Sequence, residues 1–130
     1  MNKILLSIVI IGLAIGIAFI VVSPRAAGTT ATQEGQNVEM RDGVQYITIT
    51  AKGGYAPKIS TAQAGVPTKL VIKTNGTYDC SSSLVIRSIG YQKVLSQTGE
   101  EIIDVGTPKA GTPLQGTCSM GMYNFMVNFS

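Results

Sequence analysis

Cys118-Ser119-Met120-Gly121-Met122 sets sulfur side chains at every second position, and a second cysteine, Cys80, stands upstream. The sequence contains no histidine. Thiolate and thioether sulfurs suit Cu(I), whereas zinc, Cu(II) and non-haem iron sites ordinarily draw on imidazole. A cysteine and methionine set in a histidine-free chain therefore points to cuprous copper. In an extended segment, residues at i, i+2 and i+4 project to one side, which would align Cys118, Met120 and Met122. Gly121 would let the backbone turn tightly among them. Binding through both cysteines as thiolates releases protons and strengthens with rising pH.

Two arrangements suit these donors. In one, a single Cu(I) sits on Cys80 and Cys118 with a methionine as third ligand. In the other, thiolates bridge a pair of Cu(I) ions, and the second ion leans on Met120 and Met122. The thioether-rich position would be the weaker and more exposed, which suits handing the metal on. The rival reading is a plain Cys80–Cys118 disulfide in an exported domain, worth about 4 kcal/mol for a loop of this length. A structural disulfide has no need of two neighbouring methionines, and metal binding is the preferred reading.

Around these sulfurs, the hydroxyls of Ser81, Ser82 and Ser83 are candidate donors to a thiolate, with simple loop polarity as the alternative. Asp79 beside Cys80 opposes thiolate formation unless a cation or backbone donors offset it. Tyr78 and Tyr123 are read either as shields over the site or as core. Met126 is read as core or rim rather than ligand, because it lies beyond the loop that bunches the sulfurs. Asn75-Gly76-Thr77 fits a glycosylation acceptor but reads better as a turn.

The elements that position the sulfurs are short and β-type. Segments 44–50, 68–74, 83–86, 101–105 and 122–129 are β-branched, aromatic or apolar, and Gly/Pro/Asn turns separate them. That pattern predicts a β-sandwich or barrel, and nothing after residue 22 sustains helical periodicity. In the last segment Tyr123, Phe125, Val127 and Phe129 share the face expected to enter the core.

Residues 4–22, from Ile4 to Val22, carry no charge. At about 1.5 Å per residue they span close to the hydrocarbon thickness of a bilayer. The expectation is a transmembrane anchor over 1–22, with a cleaved signal peptide as the alternative. Gly12 and Gly16 form a GxxxG pattern that would allow weak helix pairing, but chance in a Gly/Ala-rich anchor is the preferred reading. Residues 23–37 are small and polar, a flexible linker of about 22 Å root-mean-square reach, and 38–130 form the folded domain. Lys3 and Arg25 nearly balance the charge across the span, so orientation leans only slightly to a cytoplasmic domain.

The formal charge is +3, from ten basic and seven acidic residues spread along the chain. No basic cluster suited to nucleic acid is present. Without histidine no nucleophile–base pair assembles, and no carboxylate pair stands out, so the chain is not expected to be an enzyme.

Gly54-Tyr55-Ala56-Pro57-Lys58-Ile59, followed by Ala64-Gly65-Val66-Pro67-Thr68-Lys69-Leu70, resembles the start of a cupredoxin domain. The Cys80 segment together with Cys118-x-Met120-x-Met122 resembles membrane-anchored Cu(I) chaperones of the CupA type. It is similar also to the cupredoxin-like metal-binding domains of copper-exporting P-type ATPases. The resemblance implies an all-β, cupredoxin-like Greek-key β-sandwich behind one N-terminal transmembrane helix. It implies that Cys80 and Cys118 meet at one end and that Cys80, Cys118, Met120 and Met122 hold Cu(I), as two ions in a thiolate-bridged site. It further implies a membrane-tethered chaperone or buffer that delivers copper to an exporting ATPase. Blue-copper electron carriers use two histidines, which this sequence lacks. Two rivals stand beside this reading, a disulfide-bonded interaction domain and an extracellular copper acquisition or sensing protein.

Overall fold

Short β-branched segments punctuated by turn residues become ten strands in the computed structural model, which describes residues 37–130. They are β1 Val38–Arg41, β2 Val44–Ala51, β3 Tyr55–Ala56, β4 Ile59–Ala62, β5 Thr68–Thr74, β6 Ser83–Ile86, β7 Tyr91–Val94, β8 Gly99–Gly106, β9 Leu114–Cys118 and β10 Asn124–Phe129. The helical pieces among the described residues are single 3-10 turns at Cys80–Ser82 and Arg87–Ile89. None of the described helices is long and apolar enough to cross a membrane. The expected anchor over 1–22, and the linker apart from Asn37, lie outside the described residues.

One sheet runs β1-β2-β5-β8, with β3 paired to the far end of β2; the other runs β4-β10-β9-β6-β7. The pairs β2/β5 and β4/β10 are parallel, and the rest are antiparallel. The expected β-sandwich is thus the architecture found. Alternation decides which side of each strand is buried. In β2, Gln45, Ile47, Ile49 and Ala51 are buried; in β10, Phe125, Val127 and Phe129 are buried while Asn124 and Asn128 are exposed. Gln45 is a polar side chain in this core, and its amide is satisfied. It donates to Gln63 O and Thr68 Oγ1, each at 3.0 Å, and accepts from Gln63 N at 2.9 Å.

β9 shows why a glycine sits inside a core strand. Leu114, Gly116 and Cys118 point inward, and the Phe125 ring from β10 lies flush against Gly116. A Cβ on Gly116 would stand 2.2 Å from Phe125 Cε1. Phe125 is fully buried and packs edge-on against Tyr55 at 5.2 Å between centroids, so it has little room to retreat. Gly116→Ala is expected to cost about 1–3 kcal/mol by overpacking, read as a lower urea midpoint at constant m-value. An unchanged midpoint would contradict this packing.

Glu101 joins the two sheets at one edge. Its carboxylate on β8 accepts from Lys93 Nζ at 2.9 and 3.0 Å and from Tyr91 Oη at 3.1 Å, both on β7. The Lys93 ammonium, with help from Tyr91, holds the Glu101 carboxyl below the usual glutamate range. That contribution to stability is present at neutral pH and is lost as pH falls through the depressed value. Burial, then the Glu101 carboxylate, pushes the Tyr91 phenol up to about 12. Its contribution is intact below the ordinary tyrosine value and is lost as pH rises through about 12. Glu101→Gln should therefore flatten the acid limb of a plot of Tm against pH and reduce the alkaline limb only by the lesser part of the Tyr91 shift, the part due to Glu101 rather than burial. Unchanged limbs would show that the bridge does not couple the sheets.

Candidate metal centre

Two cysteines far apart in sequence meet at one pole of the sandwich. Cys118 is the last inward position of β9 and is 1% exposed. There the chain reverses. Gly121 N donates to Cys118 O at 2.9 Å, Gly121 takes φ +73°, and Cys118 N donates to Tyr123 O at 3.0 Å. The extended run expected from Cys118 through Met122 is replaced by this hairpin loop, and β10 begins only at Asn124. The physical reason is the left-handed glycine, which breaks the two-residue alternation. The loop turns its amides onto the sulfur. Tyr123 N donates to Cys118 Sγ at 3.4 Å, and the N–H groups of Met122 and Met120 also face it. Such a concave set of amides favours an anion.

Cys80 opens the 3-10 turn that leads into β6. Asp79 caps that turn: its Oδ1 accepts from Ser81 N at 2.8 Å and from Ser81 Oγ, and its Oδ2 accepts from Gly53 N. Ser82 Oγ donates to Asp79 O at 2.9 Å. The serine hydroxyls considered as donors to a thiolate are thus spent at Ser81 and Ser82 on Asp79. Asp79 in turn ties the Cys80 turn to the β2–β3 connection. Hydrogen bonds with Ser81, and then Gly53, hold its carboxyl below the usual aspartate range. The Cys80 turn is also tied to the Cys118 loop, because Ser119 N donates to Ser83 O at 2.9 Å and Leu84 pairs with Cys118.

Both cysteines are free thiols, and their side chains lie close enough to alter each other's ionisation. The pair is asymmetric. The neighbouring Cys118 sulfur pushes the Cys80 thiol above its ordinary range, although Met120 N–H pulls the other way. Burial opposes ionisation of Cys118, but the Cys80 thiol and the amides of Tyr123, Met122 and Met120 outweigh it, so its thiol lies below the ordinary range. Cys118 is the more readily ionised of the two. Beneath the pair, Tyr55 Oη donates to Ser81 O at 3.0 Å. Burial first, and then the charges of Cys118, Cys80 and Asp79, push the Tyr55 phenol far above its ordinary range, so it remains a neutral donor.

Met120 and Met122 stand at the mouth, 76% and 62% exposed. A methionine gains about 1.5–3 kcal/mol by burial, and the loop forgoes that gain at both positions. Tyr78 is 78% exposed and is not core. Tyr123 is half-buried against the core, with its ring over Gly54. Met126 is half-buried on the outer side of β10, away from the loop. Among the described residues no three His, Cys, Asp or Glu side chains cluster as a hard or borderline metal site. The donor set at this pole is sulfur, soft and suited to a cuprous ion. Asp79 and Tyr55 went unassigned as site-builders from sequence. Tyr55 sits in the Gly54-Tyr55-Ala56-Pro57 signature, but its partner Ser81 is remote in the chain.

Residues 12–127 match the cupredoxin-like domain family. The chain belongs to that family. Among solved structures, this cupredoxin-like chain is similar to the metal-binding domain of the Cu(I)-exporting P-type ATPase CopA of Streptococcus pneumoniae D39, determined with Cu(I). The identity is 21%, over 72% of this chain and 92% of that one, with a TM-score of 0.62. It is also similar to a copper-binding protein in its apo form, solved by NMR, at 23% identity over 74% of this chain and 97% of that one, with a TM-score of 0.64. At such identities the likeness is one of fold. No curated protein sequence matches the chain.

Proposed function

We propose that this cupredoxin-like domain is a Cu(I) chaperone or buffer that receives cuprous ion at Cys80, Cys118, Met120 and Met122 and passes it to a copper-exporting P-type ATPase. The observation that carries the reading is the contact between two free thiols beneath a loop that leaves two thioethers in solvent. The thiolates would supply affinity, with the Met120, Met122 and Tyr123 amides lowering the cost of holding negative charge on Cys118. Met120 and Met122 would form the outer position, where a second ion bridges onto the thiolates and from which copper departs. The fold likeness to the CopA metal-binding domain supports an exporter of that class as the partner. Residues 4–22 would tether the domain to the membrane, with the domain on the cytoplasmic face, where a reducing pool keeps thiols free. Tethering raises the local concentration near a membrane partner, so a weak docking surface suffices. No catalytic step is assigned.

The test is a transfer experiment. The full-length chain, loaded with Cu(I), is mixed with the purified metal-binding domain of a copper-exporting ATPase, and the two are separated. Copper should move to the ATPase domain even when a chelator holds free Cu(I) below the level at which that domain loads alone. Retention of copper by the chain, or transfer no faster than release to the chelator, would contradict the delivery role.

A further inference from the structure

Beside the sulfur pole lies a cavity of about 250 Å³ lined by Lys52, Gly53, Gly54, Tyr55, Lys58 and Met122, among others. We propose that it receives copper in the form in which it arrives, as an anionic complex of Cu(I) with a small thiol that bears carboxylates. This rests on the Cu(I) reading above and adds the chemical class of the incoming cargo.

The charge of the cavity sets the sign of its ligand. Ion pairs among the described residues engage Arg41, Lys73 and Lys93, and leave Lys52 and Lys58 without a carboxylate partner. The acidic group at this pole, Asp79, is turned to Gly53 N and to Ser81, so its acceptor oxygens are engaged within the fold. Lys52 and Lys58 line this concave site, the Lys52 ammonium standing at its margin toward Gly76, and two such cations attract anions and raise their rate of arrival. Cu(I) bound by two thiolates is already an anion, and carboxylates on the carrier add to that charge.

Shape and position narrow the ligand further. The cavity is lined on one side by the bare backbone of Gly53 and Gly54; Gly54 takes φ +125°, a conformation that L side chains rarely adopt, and the Tyr123 ring lies at contact distance from it. A concavity of this size is too small for a macromolecular face and lies just below the usual range of small-molecule pockets, so it seats one carrier thiol of the complex and leaves the other in solvent. Met122 belongs both to the cavity wall and to the loop around Cys118, so a complex held by the lysines lies next to a thioether. Exchange then proceeds without electron transfer, and copper remains Cu(I) throughout. The Met122 thioether enters as one carrier thiolate leaves. Cys80 and Cys118 then replace the remaining carrier, and the two protons lost by the cysteine thiols are taken by the two departing thiolates.

The experiment follows loading of the full-length chain by tyrosine fluorescence, which reports the protein alone when the carriers lack aromatic groups; the chain has five tyrosines and no tryptophan. Two probes are compared at low ionic strength, Cu(I)–glutathione, which is anionic, and Cu(I)–cysteamine, which is cationic. The double variant Lys52→Glu/Lys58→Glu should load from Cu(I)–glutathione about tenfold more slowly, and no more slowly from Cu(I)–cysteamine. Its equilibrium affinity for Cu(I), set by chelator competition, should match the parent. Lys52→Arg/Lys58→Arg should retain the parent rate, and Lys52→Gln/Lys58→Gln gives the same comparison should charge reversal prevent folding. An unchanged rate from Cu(I)–glutathione, or equal slowing with both probes, would overturn the proposal. A parent chain that takes Cu(I) from acetonitrile but not from either thiol would overturn it while leaving the Cu(I) reading intact. A parent chain that takes no Cu(I) from acetonitrile would remove both.

Discussion

Cys118→Ser is expected to abolish tight Cu(I) binding while leaving the fold in place. Removing an outer partner of a metal ligand already costs about 10–100-fold in affinity, so loss of a thiolate itself should exceed about 100-fold. The fold should tolerate the change because serine is close in size and its Oγ can still accept from Tyr123 N, the donor now at 3.4 Å from Cys118 Sγ. Chelator competition reads the affinity, and a urea titration reads the stability. The loss should be larger at Cys118 than any effect of altering Ser81 or Ser82, whose hydroxyls serve Asp79 rather than the sulfurs. If Cys118→Ser binds Cu(I) as well as the parent, the thiol pair is not the site.

Met120→Ala and Met122→Ala should act on capacity rather than on the first ion. Both side chains are largely exposed, so each truncation should leave stability within about 0.5 kcal/mol of the parent. The parent should take up two Cu(I) per chain, and either variant should lose the weaker equivalent. The tighter equivalent, held by Cys80 and Cys118, should change far less than in Cys118→Ser. Titration against a pair of chelators of different strength separates the two steps. Loss of the tight equivalent in a methionine variant would mean that a thioether completes the first site.

The strands that carried a clear signal were readable as sequence. Thr68–Thr74 and Ser83–Ile86 fall where their β-branched and apolar residues place them, and Val44–Ala51 extends its reading by one residue. β9 escaped notice because Gly116 sits at its centre: the alternation of Leu114 and Cys118 is broken by the residue that makes room for Phe125. β1, β3, β4 and β7 are two to four residues long, too short for periodicity to speak. The types of the sulfur residues were legible, and the resemblance implied that Cys80 and Cys118 meet, as they do; the form of the loop between Cys118 and Met122 was not legible. Strand spacing suggested one aligned row, whereas Gly121 turns the chain so that amides, not side-chain alternation, converge on Cys118. Asp79 read locally as a charge hostile to a thiolate. It does help to raise the Cys80 thiol, but its carboxylate is also engaged by Ser81 nearby and by Gly53, which only tertiary structure brings to it.

The central proposal is sulfur coordination of cuprous ion, and copper K-edge X-ray absorption on the full-length chain loaded with one equivalent of Cu(I) tests it most directly. The account predicts the edge of a cuprous ion with sulfur as its ligand atoms, and loss of that spectrum in Cys118→Ser. Nitrogen or oxygen as the dominant ligand atoms, or a spectrum unchanged in Cys118→Ser, would contradict it.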